Sequence, residues 1–329
     1  MSQISVIVPA YGAETTIRGC LSAIAGQSPT SAAEVIIVVS TSDRPTSDAA
    51  ASAISKFGME NARIVERTGH DTPGSLNLAA SLVTTEFVAR VDAHCRIPPD
   101  YLDRIAFVLE SRSDVAVTGG QQVAVPSAPG VVPTGIARAL NNRLIAGWSR
   151  YRRGGHGEAD TVYLGALRTS ELRAVGGWDE RLPTNQDFDL NRRMSSRGLV
   201  WVVPDLPVEY LARPTLRDLA RQYWRFGSWK VRYWRLTNDP PRLRQIALLV
   251  LPVVIASGVV AALKLGSSLV SLAATTALLA LALEAAGTAG PRGGLLARFS
   301  ALAAAAVIAL GWWLGVMTEA LRLSRREAG

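Results

Sequence analysis

The sequence predicts an α/β domain on a Rossmann-like, mostly parallel sheet, followed by amphipathic interfacial helices and C-terminal transmembrane helices. Three observations carry this. Short β-branched runs alternate with helical stretches over the first hundred residues. The segment Arg213–Arg244 holds nine basic and two acidic residues, nearly all of the chain's net charge of +8. Three apolar stretches of membrane length come after it.

The elements follow in order. Ile4–Val8 is an apolar run ended by Pro9, and Glu34–Val39 is a second, ended by Ser40–Thr41–Ser42–Asp43. Ala62–Val65 and Phe87–Val91 come at similar spacing. Such continuous runs are what strands buried on both faces look like. Helical patterns fill the gaps, over Glu14–Ala25, Ser47–Phe57 and Gly74–Leu82. Strand–helix alternation predicts a parallel, doubly wound sheet. Ligands of such sheets bind at the carboxyl ends of the strands, so the polar residues just after each strand are the candidates.

Composition narrows the function classes. Of 329 residues, 48% are apolar, which excludes a disordered chain. Only 19% are charged, and a basic chain this apolar is not a typical nucleic-acid binder. Two cysteines, Cys20 and Cys95, exclude a disulfide scaffold, and their spacing fits no zinc motif. The apolar stretches are Ile246–Leu263, Leu265–Ala286 and Phe299–Leu321. Three crossings from a cytoplasmic start would place Arg322, Arg325 and Arg326 outside, against the positive-inside rule, so two or three spans stay open. In the basic segment Tyr223, Trp224, Phe226, Trp229, Tyr233 and Trp234 interleave with the bases, a pattern suited to anionic headgroups. The N-terminus lacks a basic n-region, so residues 1–212 are expected to form a cytoplasmic catalytic domain. Residues 213–244 form the interfacial part and 245–329 the membrane region.

Candidate site residues stand where the sheet predicts. After the first strand, Tyr11 can stack on a base and Glu14 can accept a hydrogen bond from one; a plain turn before a helix reads equally well. After the fourth comes Asp92–Ala93–His94. Side chains two apart on a strand share a face, so Asp92 and His94 can share one ion, as Mn²⁺ or Mg²⁺ requires; His94 as a structural histidine is the alternative. Gly176–Gly177–Trp178–Asp179 leads to Gln186–Asp187 at a helix start. Asp187 is either a general base or a helix-stabilising acid.

The order of these motifs resembles membrane glycosyltransferases of family 2, with a GT-A fold, of the succinoglycan or exopolysaccharide type. The phrases that carry the resemblance are Val8–Pro–Ala–Tyr11, Arg90–Val–Asp–Ala–His94, Asp160–Thr–Val–Tyr–Leu–Gly–Ala166, Asn185–Gln–Asp187 and Gln222–Tyr–Trp–Arg–Phe–Gly227. It covers about residues 3 to 235.

The resemblance implies roles. Pro9, Ala10, Tyr11 and Glu14 hold the base of a UDP-sugar, joined by Ser40 and Asp43 after the second strand. Asp92, Ala93 and His94 form the metal and diphosphate motif, with Mn²⁺ or Mg²⁺ on Asp92 and His94. Asp187 is the base that deprotonates the acceptor, with Trp178 and Gln186 on the acceptor side. Gln222 and Arg225 belong to the motif whose arginine steadies the leaving diphosphate.

Three departures stand out. Ser40–Thr41–Ser42–Asp43 replaces the usual acidic motif, leaving Asp43 as its substitute. Gln186 replaces an acid beside the base, which predicts a less raised pKa for Asp187 than in an acidic pair. Phe226 replaces a tryptophan.

The expected activity is an inverting hexosyl transfer from a nucleotide sugar, expected to be a UDP-sugar, to a polyprenyl-linked acceptor at the cytoplasmic face of the bacterial cell membrane, which the chain is expected to cross more than once. Anionic lipid is a partner and nucleic acid is not. A polyprenyl-phosphate hexose synthase, a nucleotidyltransferase and an inactive membrane scaffold are the alternatives. Spacing assigns His156 no role, and it leaves the sugar, linkage and oligomeric state open.

Overall fold

The structure is a computed structural model that describes residues 3–28, 32–146, 149–241 and 294–327, with single positions between 243 and 276. Two compact units result. The first holds Met1–Val123 and Trp148–Leu211; the second holds Ala124–Gly147 and Ala212–Gly329.

The first unit begins as the hydrophobic pattern dictates. Strand β1 (Ile4–Ala10) lies between β2 (Ala32–Ser40) and β4 (Phe87–Arg90), with β3 (Ala62–Arg67) outside β2, all parallel. Val6 sits opposite Val35 on one side and Ala89 on the other, so each β-branched side chain meets another apolar strand. Helices α1 (Ile17–Ala25), α2 (Arg44–Phe57) and α3 (Thr72–Ser81) make the crossovers. Local chemistry sets their ends. Asp43 accepts from the Thr46 amide to start α2, Asp71 accepts from the Gly74 amide to start α3, and Gly58 closes α2 in the left-handed region at φ 60°.

Beyond β4 the sheet turns antiparallel. The remaining strands are β5 (Cys95–Arg96), β6 (Val115–Val125), β7 (Gly157–Glu158), β8 (Tyr163–Arg168) and β9 (Leu199–Leu211). The order across the sheet is β3-β2-β1-β4-β8-β6-β9-β5, with β7 on β9. Helix α4 (Tyr101–Ser111) precedes β6. Buried Leu76, Val88, Leu167, Trp178, Leu190 and Met194 belong to one hydrophobic core, which fixes the segments that carry the site.

The second unit is helical where it is described. Helices α5 (Val131–Leu140) and α6 (Arg143–Ala146) belong to it. After them in the chain come two short helices of the first unit, α7 (Thr169–Ala174) and α8 (Gln186–Met194). The second unit resumes with α9 (Leu216–Thr237), capped by Thr215 accepting from the Asp218 amide, and α10 (Leu295–Glu327). Glycines let these helices touch. A Cβ on Gly227 would lie 2.1 Å from the Trp312 carbonyl oxygen, one on Gly315 equally close to that of Trp224, and one on Gly135 would strike Ser300. The Arg232 guanidinium, 4.5 Å over the Trp229 ring, bonds Glu319 at 2.8 Å and so neutralises a carboxylate buried inside an apolar helix.

Residues Leu295–Arg325 of α10 are long and apolar enough to cross a membrane, with a mean hydropathy of 1.9 over an 18-residue window. Among the described residues this is the one such helix, and it contains the expected stretch Phe299–Leu321. The other two expected stretches, Ile246–Leu263 and Leu265–Ala286, lie almost wholly outside the described residues.

Candidate active site

Asp92 and His94 follow β4, but not as strand residues. β4 ends at Arg90, and the next residues form a turn closed by the Cys95 amide donating to the Asp92 carbonyl at 2.9 Å. Strand alternation is therefore the wrong reason for their proximity; the turn supplies it. A carboxylate oxygen of Asp92, a ring nitrogen of His94 and the Cys95 sulfur lie within 4.8 Å of one another.

The chemistry of this set fits a hard divalent ion on two of the three residues. Burial pushes the Asp92 carboxyl up, but Arg90 and His94 outweigh it and hold the group ionised, below the ordinary carboxylate range. Burial pushes the Cys95 thiol well above its usual value, so it stays protonated, with its sulfur 2.7 Å from the Tyr163 hydroxyl. Oxygen and nitrogen from Asp92 and His94 suit Mn²⁺ or Mg²⁺ better than a buried thiol does. The His94 ring stands edge-on to Tyr210 at 5.2 Å, and Tyr210 stands edge-on to Tyr163.

Asp187 is the second residue of α8, which opens after Asn185 in a left-handed conformation at φ 71°. It shares a cleft with Arg90, Asp92, Tyr163, Trp178 and Asn191. Burial raises its carboxyl above the usual value; Arg90 opposes this and the Asp92 charge adds to it. Although the surrounding segments desolvate it, 45% of its side chain stays exposed, so a substrate hydroxyl has access. Gln186 beside it is buried, as is Ala93 of the metal turn.

The residue that joins these carboxylates is Arg90, to which the sequence reading assigned no role. Its Nε donates to Asp92 Oδ1 at 2.6 Å, and its Nη1 donates to Asp187 Oδ1. Only 7% of the residue is exposed. A signal was available: an arginine closing the apolar strand Phe87–Val–Ala–Arg90 must be paired to be tolerated.

Trp178 is held by a device that pattern reading also passed over. Gly176 and Gly177 both take left-handed conformations, at φ 76° and 71°. The Asn77 amide then brackets the next residue. Its Nδ2 donates to the Trp178 carbonyl at 2.9 Å, and its Oδ1 accepts from the Trp178 amide at 2.8 Å. Arg193 grips the same turn, donating to the Val175 and Gly177 carbonyls while bonding Asp189. The result buries Trp178 to 3% exposure, with its indole in the cleft beside Asp187.

The other nucleotide candidates gather after β1 and β2. Tyr11 is exposed and stacks on His70, centroids 4.8 Å apart and rings 25° from parallel, while Glu14 is exposed. Asp43 is turned inward: its two oxygens accept from the Gly12 and Thr46 amides, at 2.6 and 3.3 Å. The Thr46 hydroxyl in turn accepts from the Ala13 amide at 2.9 Å. Ser40 meets Ser42, hydroxyl to hydroxyl, at 2.9 Å, and Pro9 and Ala10 are the last residues of β1. His156 is exposed, with its carbonyl accepting from Arg150 at 3.0 Å. Gln222 and Arg225 belong to the second unit, on α9, where Arg225 is exposed and Gln222 half-buried.

Known proteins resemble this chain in sequence and fold. The family model described as Glycosyl transferase family 2 matches residues 5–147. The succinoglycan biosynthesis protein ExoA of Rhizobium meliloti (strain 1021) is 26% identical over 220 residues, 56% of this chain. The match spans 65% of that relative's own length, just under two thirds. Among solved structures, the mannosyltransferase PcManGT from Pyrobaculum calidifontis, in complex with GDP-Man and Mn²⁺, aligns with 97% of this chain and 87% of its own, at a TM-score of 0.64 and 17% identity. At that identity the likeness shows the fold: the mixed α/β sheet is GT-A-like, as the resemblance implied.

Proposed function

We propose that the protein is an inverting, metal-dependent glycosyltransferase that moves a hexose from a nucleotide sugar to a lipid-linked acceptor in exopolysaccharide or glycolipid synthesis. One observation carries the reading. An accessible, desolvated carboxylate, Asp187, shares a cleft with an ionised carboxylate, Asp92, just past the carboxyl end of the parallel strand β4. Two carboxylates in such different surroundings suit two different tasks.

The chemistry follows from those tasks. Asp187 accepts the proton of the acceptor hydroxyl as its oxygen attacks the anomeric carbon. The bond from that carbon to the diphosphate breaks, and the nucleoside diphosphate leaves with the electron pair. A single displacement inverts the anomeric centre. Asp92 and His94 would hold the divalent ion, which supplies charge stabilisation to the leaving diphosphate. The resemblance gives Tyr11 the base of a UDP-linked donor and Arg225 a share of the diphosphate charge. The apolar helix α10 and the Arg- and Trp-rich α9 support membrane association, where a polyprenyl-linked acceptor and anionic lipid would be met.

The test uses the full chain in lipid nanodiscs, a panel of UDP- and GDP-sugars, and a polyprenyl-diphosphate saccharide, with and without Mn²⁺. Asp187→Asn is expected to lower transfer by about 10² to 10⁴-fold with donor binding retained. Asp92→Ala or His94→Ala is expected to remove Mn²⁺-dependent donor binding. Transfer that survives in Asp187→Asn would instead indicate a phosphate acceptor, which needs no base.

A further inference from the structure

We propose that Arg90 is a positioning residue that competes with the cation for Asp92 and thereby makes the metal site and the base respond to each other. The inference rests on the reading above, in which Asp92 and His94 take a divalent ion. Its own support is geometric. One buried guanidinium, through two different nitrogens, donates to Asp92 on the turn after β4 and to Asp187 on α8, 97 residues away in sequence. The fork is planar and rigid, so Arg90 cannot follow one carboxylate far without loosening its hold on the other.

Charge completes the argument. Ionised together, Arg90, Asp92 and Asp187 sum to one negative charge in the cleft they line. A divalent ion at Asp92 shares that carboxylate with a guanidinium already 2.6 Å from it, and two cations on one carboxylate repel. Metal entry therefore weakens the Arg90–Asp92 bond and leaves Asp187 as the main partner of Arg90. Conversely, neutralising Asp187 lets Arg90 commit to Asp92 and oppose the metal. An arginine that merely held the fold would do the opposite: removing it would loosen the turn and weaken metal binding.

The experiment is a Mn²⁺ titration of the full-length protein, with free Mn²⁺ read by electron paramagnetic resonance at pH 8 and no donor present. Arg90→Met is expected to bind Mn²⁺ about tenfold more tightly than the unaltered chain, as loss of an adjacent positive charge predicts. Arg90→Lys should fall near the unaltered chain, because it keeps the charge. Asp187→Asn, which is no ligand, should weaken Mn²⁺ binding several-fold, and most of that effect should vanish in the Arg90→Met background. If Arg90→Met melts below the assay temperature, Arg90→Lys serves as the background instead. A lysine keeps the charge but not the fork, so Asp187→Asn should weaken Mn²⁺ binding less there than in the unaltered chain, and an equal loss would count against the coupling. Unchanged or weaker Mn²⁺ binding by a folded Arg90→Met, or no effect of Asp187→Asn, overturns the proposal. Absence of Mn²⁺ binding by the unaltered chain, or binding that survives Asp92→Ala, overturns the metal-site reading itself.

Discussion

Both carboxylate oxygens of Asp43 accept from backbone amides, those of Gly12 and Thr46, which ties the loop after β1 to the start of α2. Burial raises its pKa, yet the amide bonds from Gly12 and Thr46 prevail and leave it depressed. A depressed pKa means stability that is present above the unfolded value, near 3.9, and lost as pH falls through the folded one. Asp43→Ala should therefore cost about 1–2 kcal/mol at pH 7. The melting-temperature gap to the unaltered chain should narrow as pH drops below about 4. Thermal melting of the solubilised protein from pH 7 to pH 3 checks this, and a constant gap would deny the charge its part. At this scale the sequence is legible where chemistry repeats a pattern: Asp92 and His94 stand after a strand and Asp187 at a helix start, places that local spacing marks as candidates. Asn77 is not so marked, because its partner Trp178 lies 101 residues away; for Arg90 the local pattern calls for a partner, but no spacing records the second one, Asp187, 97 residues away.

The turn before Asp179 shows how an element places a side chain. Gly176 and Gly177 are both left-handed, but their surroundings differ. A Cβ on Gly176 would meet open space, whereas one on Gly177 would lie 2.5 Å from Asn77 Oδ1. Gly176→Ala should cost only the backbone strain, roughly 1 kcal/mol. Gly177→Ala should cost more, by displacing the amide that brackets Trp178, and it alone should raise the acceptor KM. Comparing acceptor saturation curves for the two variants decides the matter. Elements were unevenly legible. The parallel strands announce themselves as unbroken β-branched runs. The antiparallel strands do not: β9 contains Pro204 and Pro207 and turns left-handed at Asp205, and β6 contains Gly119 and Gly120. Proline and glycine inside a run read as breaks, and only pairing with distant strands overrides them.

Across the whole molecule, charge and grease are sorted by position. The excess of bases lies in Arg213–Arg244, and α9 carries most of that segment as one helix. Both features were legible because they are compositional and need no partner to be seen. The inclusion of residues 124–147 in the second unit was not, because it depends on α5 meeting α10, where Gly135 faces Ser300.

The pairing of α9 with α10 fixes the direction of one helix along the other. Ala220 lies by Gly311, Trp224 by Gly315, and Arg232 by Glu319, so the two helices run in the same sense. Neighbours that run in the same sense cannot be a hairpin. Along that direction Glu319, at the level of Arg232, lies twenty-four residues of helix rise, about 36 Å, beyond Leu295 where α10 begins. That exceeds the roughly 30 Å of a bilayer core. If α10 crosses the membrane, its C-terminal end and that of α9 lie toward the same side. Arg322 and Arg325 then emerge on the same side as the basic α9, as the positive-inside rule prefers. Epitope tags at the two termini should both be protected in sealed, right-side-out vesicles and both be digested in inverted ones; opposite accessibility would refute the shared side.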